Sequence, residues 1–142
     1  MPSARDLMTK NPVTLQVTAT VKDALLILQS MEIRHLPIVN EQDELVGMVS
    51  DRDLRSLSIP RTFDERWLGE LRVALREKIV SVMTADVLCV DVEADASEII
   101  ELMLEHKIGA VPVTDADGSL VGIVSYIDVL RELSALVEDA AQ

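Results

Sequence analysis

Residues 8–54 align without a gap on residues 83–129 at a constant separation of 75. No other feature of the chain restricts its fold as strongly, because two copies that keep the same apolar positions bury the same faces and therefore fold alike. Identical pairs include Met8 and Met83, Thr9 and Thr84, Val17 and Val92, Ala19 and Ala94, Ile33 and Ile108, and Pro37 and Pro112. The densest match sets Leu45, Val46, Gly47, Val49, Ser50 and Asp53 against Leu120, Val121, Gly122, Val124, Ser125 and Asp128. Where the copies differ, apolar usually replaces apolar, as at Met48 and Ile123.

Within each copy, residues 13–17 and 88–92 alternate apolar and polar side chains, which predicts a half-buried strand. Ala24, Leu25, Leu28 and Met31, and then Ile99, Ile100, Met103 and Leu104, recur at spacings of three and four, which predicts amphipathic helices of about 12 residues. Two hairpins follow: residues 36–39 and 45–50 flank the polar turn 40–44, while residues 111–114 and 120–125 flank 115–119, where Gly118 accepts φ > 0. A second helix begins after Ser50 and again after Ser125. Each copy thus reads β-α-β-β-α, an α+β class. Between the copies, Pro60 predicts a helix end near Ser58, and Trp67, Leu71, Leu75 and Ile79 recur every fourth residue. This face predicts a linker helix that covers exposed core or serves as an assembly surface. The expected organisation is a first repeat over 1–58, a linker with an amphipathic helix over 59–80, a second repeat over 81–138 and a tail over 139–142.

The 142 residues suit one compact domain or two small ones sharing a core. Only Phe63, Trp67 and Tyr126 are aromatic, so that core is aliphatic. Thirteen Lys and Arg against twenty-five Asp and Glu give a net charge of −12, which repels a nucleic-acid backbone and sets DNA and RNA aside as partners. Cys89 is the single cysteine and supports no disulfide framework. The first residues lack a charged start and a long apolar run, and no stretch approaches the roughly 18 apolar residues of a membrane span, so a cytoplasmic chain is expected, without a membrane partner.

The candidate chemistry lies where a buried strand turns into a helix. Ser50 and Asp53, and again Ser125 and Asp128, place a hydroxyl three residues before a carboxylate. One use of that spacing is a capping box, in which each side chain accepts a backbone N–H of the other residue. The other is ligand binding, since a strand-to-helix corner offers N–H groups to phosphate and a carboxylate accepts both hydrogens of a ribose diol. Gly47 and Gly122 precede the serines by three residues and permit close approach to the backbone. Arg34 and His35 bring cationic character near a phosphate in the first copy only, since Gly109 and Ala110 replace them in the second. No GxGxxG or P-loop is present. His35 and His106 lack metal-ligand spacing and fit no triad. Asp115, Asp117 and Gly118 read as a turn, because a calcium loop's ordered acidic ligands are missing. No catalytic residue, metal site or required cofactor is expected, and the chain is read as a non-enzyme.

These residues resemble the cystathionine-β-synthase (CBS) domain pair, or Bateman module. Met8-Thr9, Leu36-Pro37-Ile38-Val39 and the run from Gly47 to Asp53 are similar to its opening, middle and closing motifs, and Met83-Thr84, Val111-Pro112-Val113 and the run from Gly122 to Asp128 repeat them. Ile33-Arg34-His35-Leu36-Pro37 is most similar to the acetoin-utilisation protein B branch. The resemblance implies two repeats packed through their sheets about a pseudo-twofold axis, dimerisation, and clefts that take an adenine nucleotide or an S-adenosyl ligand. It implies that Asp53 and Asp128 hold ribose hydroxyls and that Ser50 and Ser125 meet phosphate or ribose. Thr9, Val13 and Ile33, and in the other copy Thr84, Leu88 and Ile108, line the base pockets, with Arg34 and His35 facing phosphates. The implied function is a regulatory module that senses AMP, ADP, ATP or S-adenosylmethionine, acts through a homodimer and controls a partner protein. The competing reading is a ligand-free scaffold that regulates by protein contact.

Overall fold

The computed structural model describes residues 2–55 and 66–141, so the helix end expected near Ser58 lies outside the described residues. The chain forms two compact units, one of residues 13–87 and one of residues 1–12 with 88–142, and it passes from one to the other after Pro12 and after Val87.

In the unit of residues 13–87, β2 (Leu15–Gln16) runs parallel to β3 (His35–Val39), which pairs antiparallel with β4 (Leu45–Ser50). Here α2 (Val21–Ser30) crosses from β2 to β3, α3 (Asp51–Arg55) follows β4, and α4 (Trp67–Arg76) packs along α2. The core gathers Leu15, Val21, Ala24, Leu28, Leu36, Ile38, Val49, Leu54 and Ile79. In the other unit, β1 (Thr9–Lys10), β7 (Leu120–Ser125), β6 (Ala110–Thr114) and β5 (Val90–Asp91) form a sheet in that order. Against it lie α1 (Ala4–Leu7), α5 (Ala96–His106) and α6 (Tyr126–Ala141), over a core centred on Ile99, Val111, Val113 and Val124.

The hairpins form as their sequences require. Gly118 takes φ +81°, and Asp43, its counterpart in the first copy, takes φ +60°. In each turn one side chain replaces missing backbone partners: Asn40 Oδ1 accepts the N–H groups of Gln42 and Glu44 at 3.0 Å, and Asp115 Oδ1 those of Asp117 and Ser119 at 2.9 and 3.0 Å. Asp115 is therefore a turn residue. The strands expected over 13–17 and 88–92 shorten to two residues each, because in the first a turn from Ala19 N–H to the Gln16 carbonyl (3.0 Å) already leads into α2. The helical stripes also shift: Val21, Ala24 and Leu28, and Ala96, Ile99 and Met103, are buried, whereas Leu25, Met31 and Leu104 are exposed. Met31 caps α2, and Leu25 and Leu104 lie beyond the edge of the inward stripe. The apolar series of the linker breaks in the same way. Trp67, Leu71 and Leu75 belong to α4, but α4 stops at Arg76, and Ile79 sits fully buried in a separate 3-10 turn, Ile79–Ser81.

That turn belongs to an arrangement the local pattern does not disclose. Val21 N–H donates to the Glu77 carbonyl and Ile79 N–H to the Ala19 carbonyl, both at 2.9 Å. Seventy-five residues away the same bonds recur, with Ala96 N–H donating to the Pro2 carbonyl (2.9 Å) and Ala4 N–H to the Ala94 carbonyl (2.8 Å). Each opening segment thus joins the sheet of the other copy: β1 pairs with β7, and Thr84 exchanges two backbone bonds with Met48 (2.9 and 3.0 Å).

The two glycines before the serines make room for these segments. A Cβ at Gly122 would strike the Met8 sulfur and lie 2.8 and 3.0 Å from Met8 Cγ and Cβ. At Gly47 it would strike the Met83 sulfur and lie 3.1 Å from Met83 Cγ and from the Thr84 carbonyl oxygen. Met8 Cβ is fixed by the backbone pairing of the adjacent Thr9 with Ile123, so it cannot swing aside. Gly122→Ala is accordingly expected to lower the unfolding free energy by about 1 to 3 kcal/mol, and Gly47→Ala by less, as read from urea denaturation midpoints. An unchanged midpoint for Gly122→Ala would refute this packing role.

Candidate functional site

The β4–α3 corner brings Ser50 and Asp53 beside Arg34 and His35. His35 pairs with Ser50 across the hairpin, and Asp51 N–H donates to the Arg34 carbonyl at 2.9 Å. Asp53 Oδ2 accepts the Ser50 N–H at 2.8 Å, while Ser50 Oγ accepts the Asp53 N–H at 3.1 Å. The β7–α6 corner repeats the figure. Ser125 pairs with Ala110, and Tyr126 N–H donates to the Gly109 carbonyl at 2.9 Å. Asp128 Oδ2 accepts the Ser125 N–H at 2.8 Å and its hydroxyl at 3.1 Å, while Ser125 Oγ accepts the Asp128 N–H at 3.3 Å. Both corners are complete capping boxes, and two of the N–H groups that would attract phosphate already have partners.

Two further boxes among the described residues calibrate this geometry. Asp6 accepts the Ser3 N–H at 2.9 Å at the start of α1, and Asp23 the Thr20 N–H at 3.0 Å at the start of α2. In each, the hydrogen bond from that backbone N–H holds the carboxyl below the usual carboxylate value. Asp6 and Asp23 lie on the surface, whereas Asp53 and Asp128 are half-buried in the first turn of the helices that follow β4 and β7. The spacing alone therefore marks a cap, and burial beside the hairpin distinguishes the two corners.

The remaining candidates divide differently from their order in the chain. Thr84, Val13 and Ile33 lie in the unit of Ser50 and Asp53, with Val13 and Ile33 packed on its core. Thr9, Leu88 and Ile108 lie in the unit of Ser125 and Asp128. The opening threonines have thus exchanged copies, because their segments exchange sheets. Thr9, Thr84, Arg34 and Leu88 are exposed, while Ile108 is half-buried against its core. Burial pushes the His35 imidazole below its ordinary value of 6.5, against the opposing pull of Asp51 and Asp53 and with some help from Arg34. At neutral pH His35 is therefore uncharged and offers a hydrogen bond, leaving Arg34 as the cation of that pair. One residue beside the corners escaped the sequence reading. Arg131 Nη1 lies 3.6 Å from Asp128 Oδ1, on a side chain 75% exposed against 12% for Asp128. Its position three residues after Asp128 on one helix was the available signal. Met8 was legible as part of the repeated Met-Thr opening, but its place in the space above Gly122 was not. Among the described residues no group of three His, Cys, Asp or Glu side chains is placed to hold a metal ion, and no helix is long and apolar enough to cross a membrane.

The CBS domain model matches residues 4–59 and 79–135. The chain belongs to the CBS-domain family. AcuB of Vibrio cholerae shares 34% identity with this CBS pair at a TM-score of 0.78, over 97% of this chain and 94% of its own. CBSX2 of Arabidopsis thaliana, in a crystal structure with AMP, shares 30% at a TM-score of 0.79 over 96% and 98%. The CBS domain pair of protein MJ0100, solved with 5′-methylthioadenosine and S-adenosyl-L-methionine, shares 25% at a TM-score of 0.77 over 95% and 98%. Among curated relatives, the chain spans only 23% and 40% of the length of the first two that it matches.

Proposed function

We propose that this CBS pair is a regulatory module that binds an adenine nucleotide or another adenosyl ligand at its strand-to-helix corners and passes occupancy, through a homodimer, to a partner protein. One observation carries the reading: the half-buried Ser-x-x-Asp corner occurs in both units of a chain similar over nearly its whole length to pairs solved with AMP and with S-adenosyl compounds. In this reading Asp53 and Asp128 accept a ribose diol and Ser50 and Ser125 meet ribose or phosphate. Thr84, Val13 and Ile33 serve one base pocket, and Thr9, Leu88 and Ile108 the other. Arg34 supplies charge and the neutral His35 a hydrogen bond to phosphate in the first corner, so the two corners differ in ligand preference. The module does no chemistry on its ligand.

The closed capping boxes favour a second reading, a ligand-free scaffold, since each carboxylate already serves a helix end. Thermal melting with AMP, ATP and S-adenosylmethionine separates the two. A ligand at 100 times its dissociation constant adds about 2.7 kcal/mol, which raises the melting temperature by roughly 5 to 10 °C at this chain length. No shift with any of the three supports the scaffold.

A further inference from the structure

We infer that the first corner responds to pH as well as to ligand: His35 takes up a proton when a phosphate-bearing adenosyl ligand binds beside it, and the second corner has no such response. The inference rests on the adenosyl reading and adds a regulatory property to it. His35 opens β3, and its register partner across the hairpin is Ser50, the hydroxyl of the corner. Among the described residues three charges act on the half-buried imidazole: Asp51 and Asp53 on α3, and Arg34 beside it. β2, β4 and the last two turns of α2 bring no titratable side chain to β3. Glu32, on the connection from α2, is exposed.

Both carboxylates are already committed. Asp53 Oδ2 accepts the Ser50 N–H at 2.8 Å, and Asp51 Oδ2 accepts a hydrogen bond from the Arg55 guanidinium at 3.2 Å. Their pull on the ring does not offset its loss of water, so burial prevails and the ligand-free imidazole is neutral at pH 7. A phosphate monoester, with a charge of about −1.5 to −2 at that pH, reverses the balance. It sets uncommitted negative charge against the ring and offsets Arg34, the charge of the three that opposes protonation. Free His35 titrates below its ordinary value and phosphate raises it, so between the two the complex holds more protons than the free chain and affinity grows as pH falls. Seventy-five residues on, Gly109 and Ala110 replace Arg34 and His35, and Tyr126 replaces Asp51, while Ser125 and Asp128 still close their box. That corner keeps the cap and lacks the proton acceptor.

Titration calorimetry of the full chain with AMP, at about pH 6 and about pH 8 and in buffers of unlike ionisation enthalpy, tests this. Near neutrality AMP is expected to draw in roughly half a proton more than it does with His35→Gln, and affinity to gain roughly threefold or more on acidification relative to that variant. Titration of the phosphate itself is common to both proteins. 5′-Methylthioadenosine, which has no phosphate, is expected to show no such excess. The ring-proton resonances of His35 and His106, the two histidines of the chain, give a reading that needs no change at His35. With AMP the His35 midpoint is expected to rise while that of His106, exposed on α5 and assigned by His106→Gln, stays in place. If neither probe binds at either pH, the adenosyl reading and this inference fall together. Binding of 5′-methylthioadenosine without AMP, equal proton uptake by the two proteins, or a stationary His35 midpoint overturns this inference alone.

Discussion

Replacing Ile79 by alanine is expected to remove about 2 to 5 kcal/mol from the unfolding free energy, a large fraction of the 5 to 15 kcal/mol that a domain of ordinary stability possesses. The side chain is 0% exposed and packs in the cluster of Leu15, Val21, Leu36 and Val49. Three buried carbons are lost, worth about 0.8 kcal/mol each in transfer alone. The surroundings cannot close over the gap, because the Ile79 N–H is bonded to the Ala19 carbonyl and the neighbours are held by strand pairing. Val80→Ala is the control: that side chain is 48% exposed, and its loss should cost about 0.5 kcal/mol or less. At this chain length the Ile79 variant should melt about 10 °C lower, with Val80→Ala nearly unchanged. Equal, small effects from both would mean that residues 79–81 merely continue a surface linker.

Ile79 also marks where the sequence stopped being legible. Strands at 45–50 and 120–125 match the expected residues, because an apolar run between a polar turn and a helix start leaves few alternatives. Edge segments carry no comparable constraint. Nothing in Thr9-Lys10 or around Thr84 says which sheet it will join, since a two-residue strand is selected by long-range pairing. The offset alignment begins at Met8, yet the backbone bonds repeat from Pro2 and Glu77, where side chains no longer match: Ala4 stands against Ile79, both at 0% exposure. Backbone hydrogen bonding is blind to that difference, so the structural repeat outruns the sequence repeat. The corners show the complementary limit. Ser-x-x-Asp spacing was readable at both, but Ser3-Asp6 and Thr20-Asp23 have the same three-residue spacing and the same bond from backbone N–H to carboxylate, with carboxylates that lie at the surface. Spacing fixes a local hydrogen-bond pattern, and only tertiary burial separates the four.

That separation makes Asp128→Asn the most discriminating test of the binding role. The amide oxygen still accepts the Ser125 N–H, so the cap survives, and the change removes only a helix-end charge worth about 0.3 to 1 kcal/mol. The Arg131 contact adds little, at 3.6 Å and on a side chain 75% exposed. For an adenosyl ligand the loss is much larger. A ribose diol donates two hydrogen bonds to a carboxylate, each worth about 1.5 to 3 kcal/mol when one partner is charged, so affinity at that corner should fall roughly a hundredfold or more. Asp23→Asn removes a matched carboxylate from a cap of the same form and should cost similar stability while leaving the ligand-induced melting shift intact. If the Asp128 and Asp23 variants respond alike to every ligand that stabilises the unaltered protein, Asp128 serves its helix alone. If only the Asp128 variant loses part of the shift, with Asp53→Asn removing the remainder, each corner carries a ribose, and the unlike neighbours Arg34-His35 and Gly109-Ala110 become the basis for telling their ligands apart.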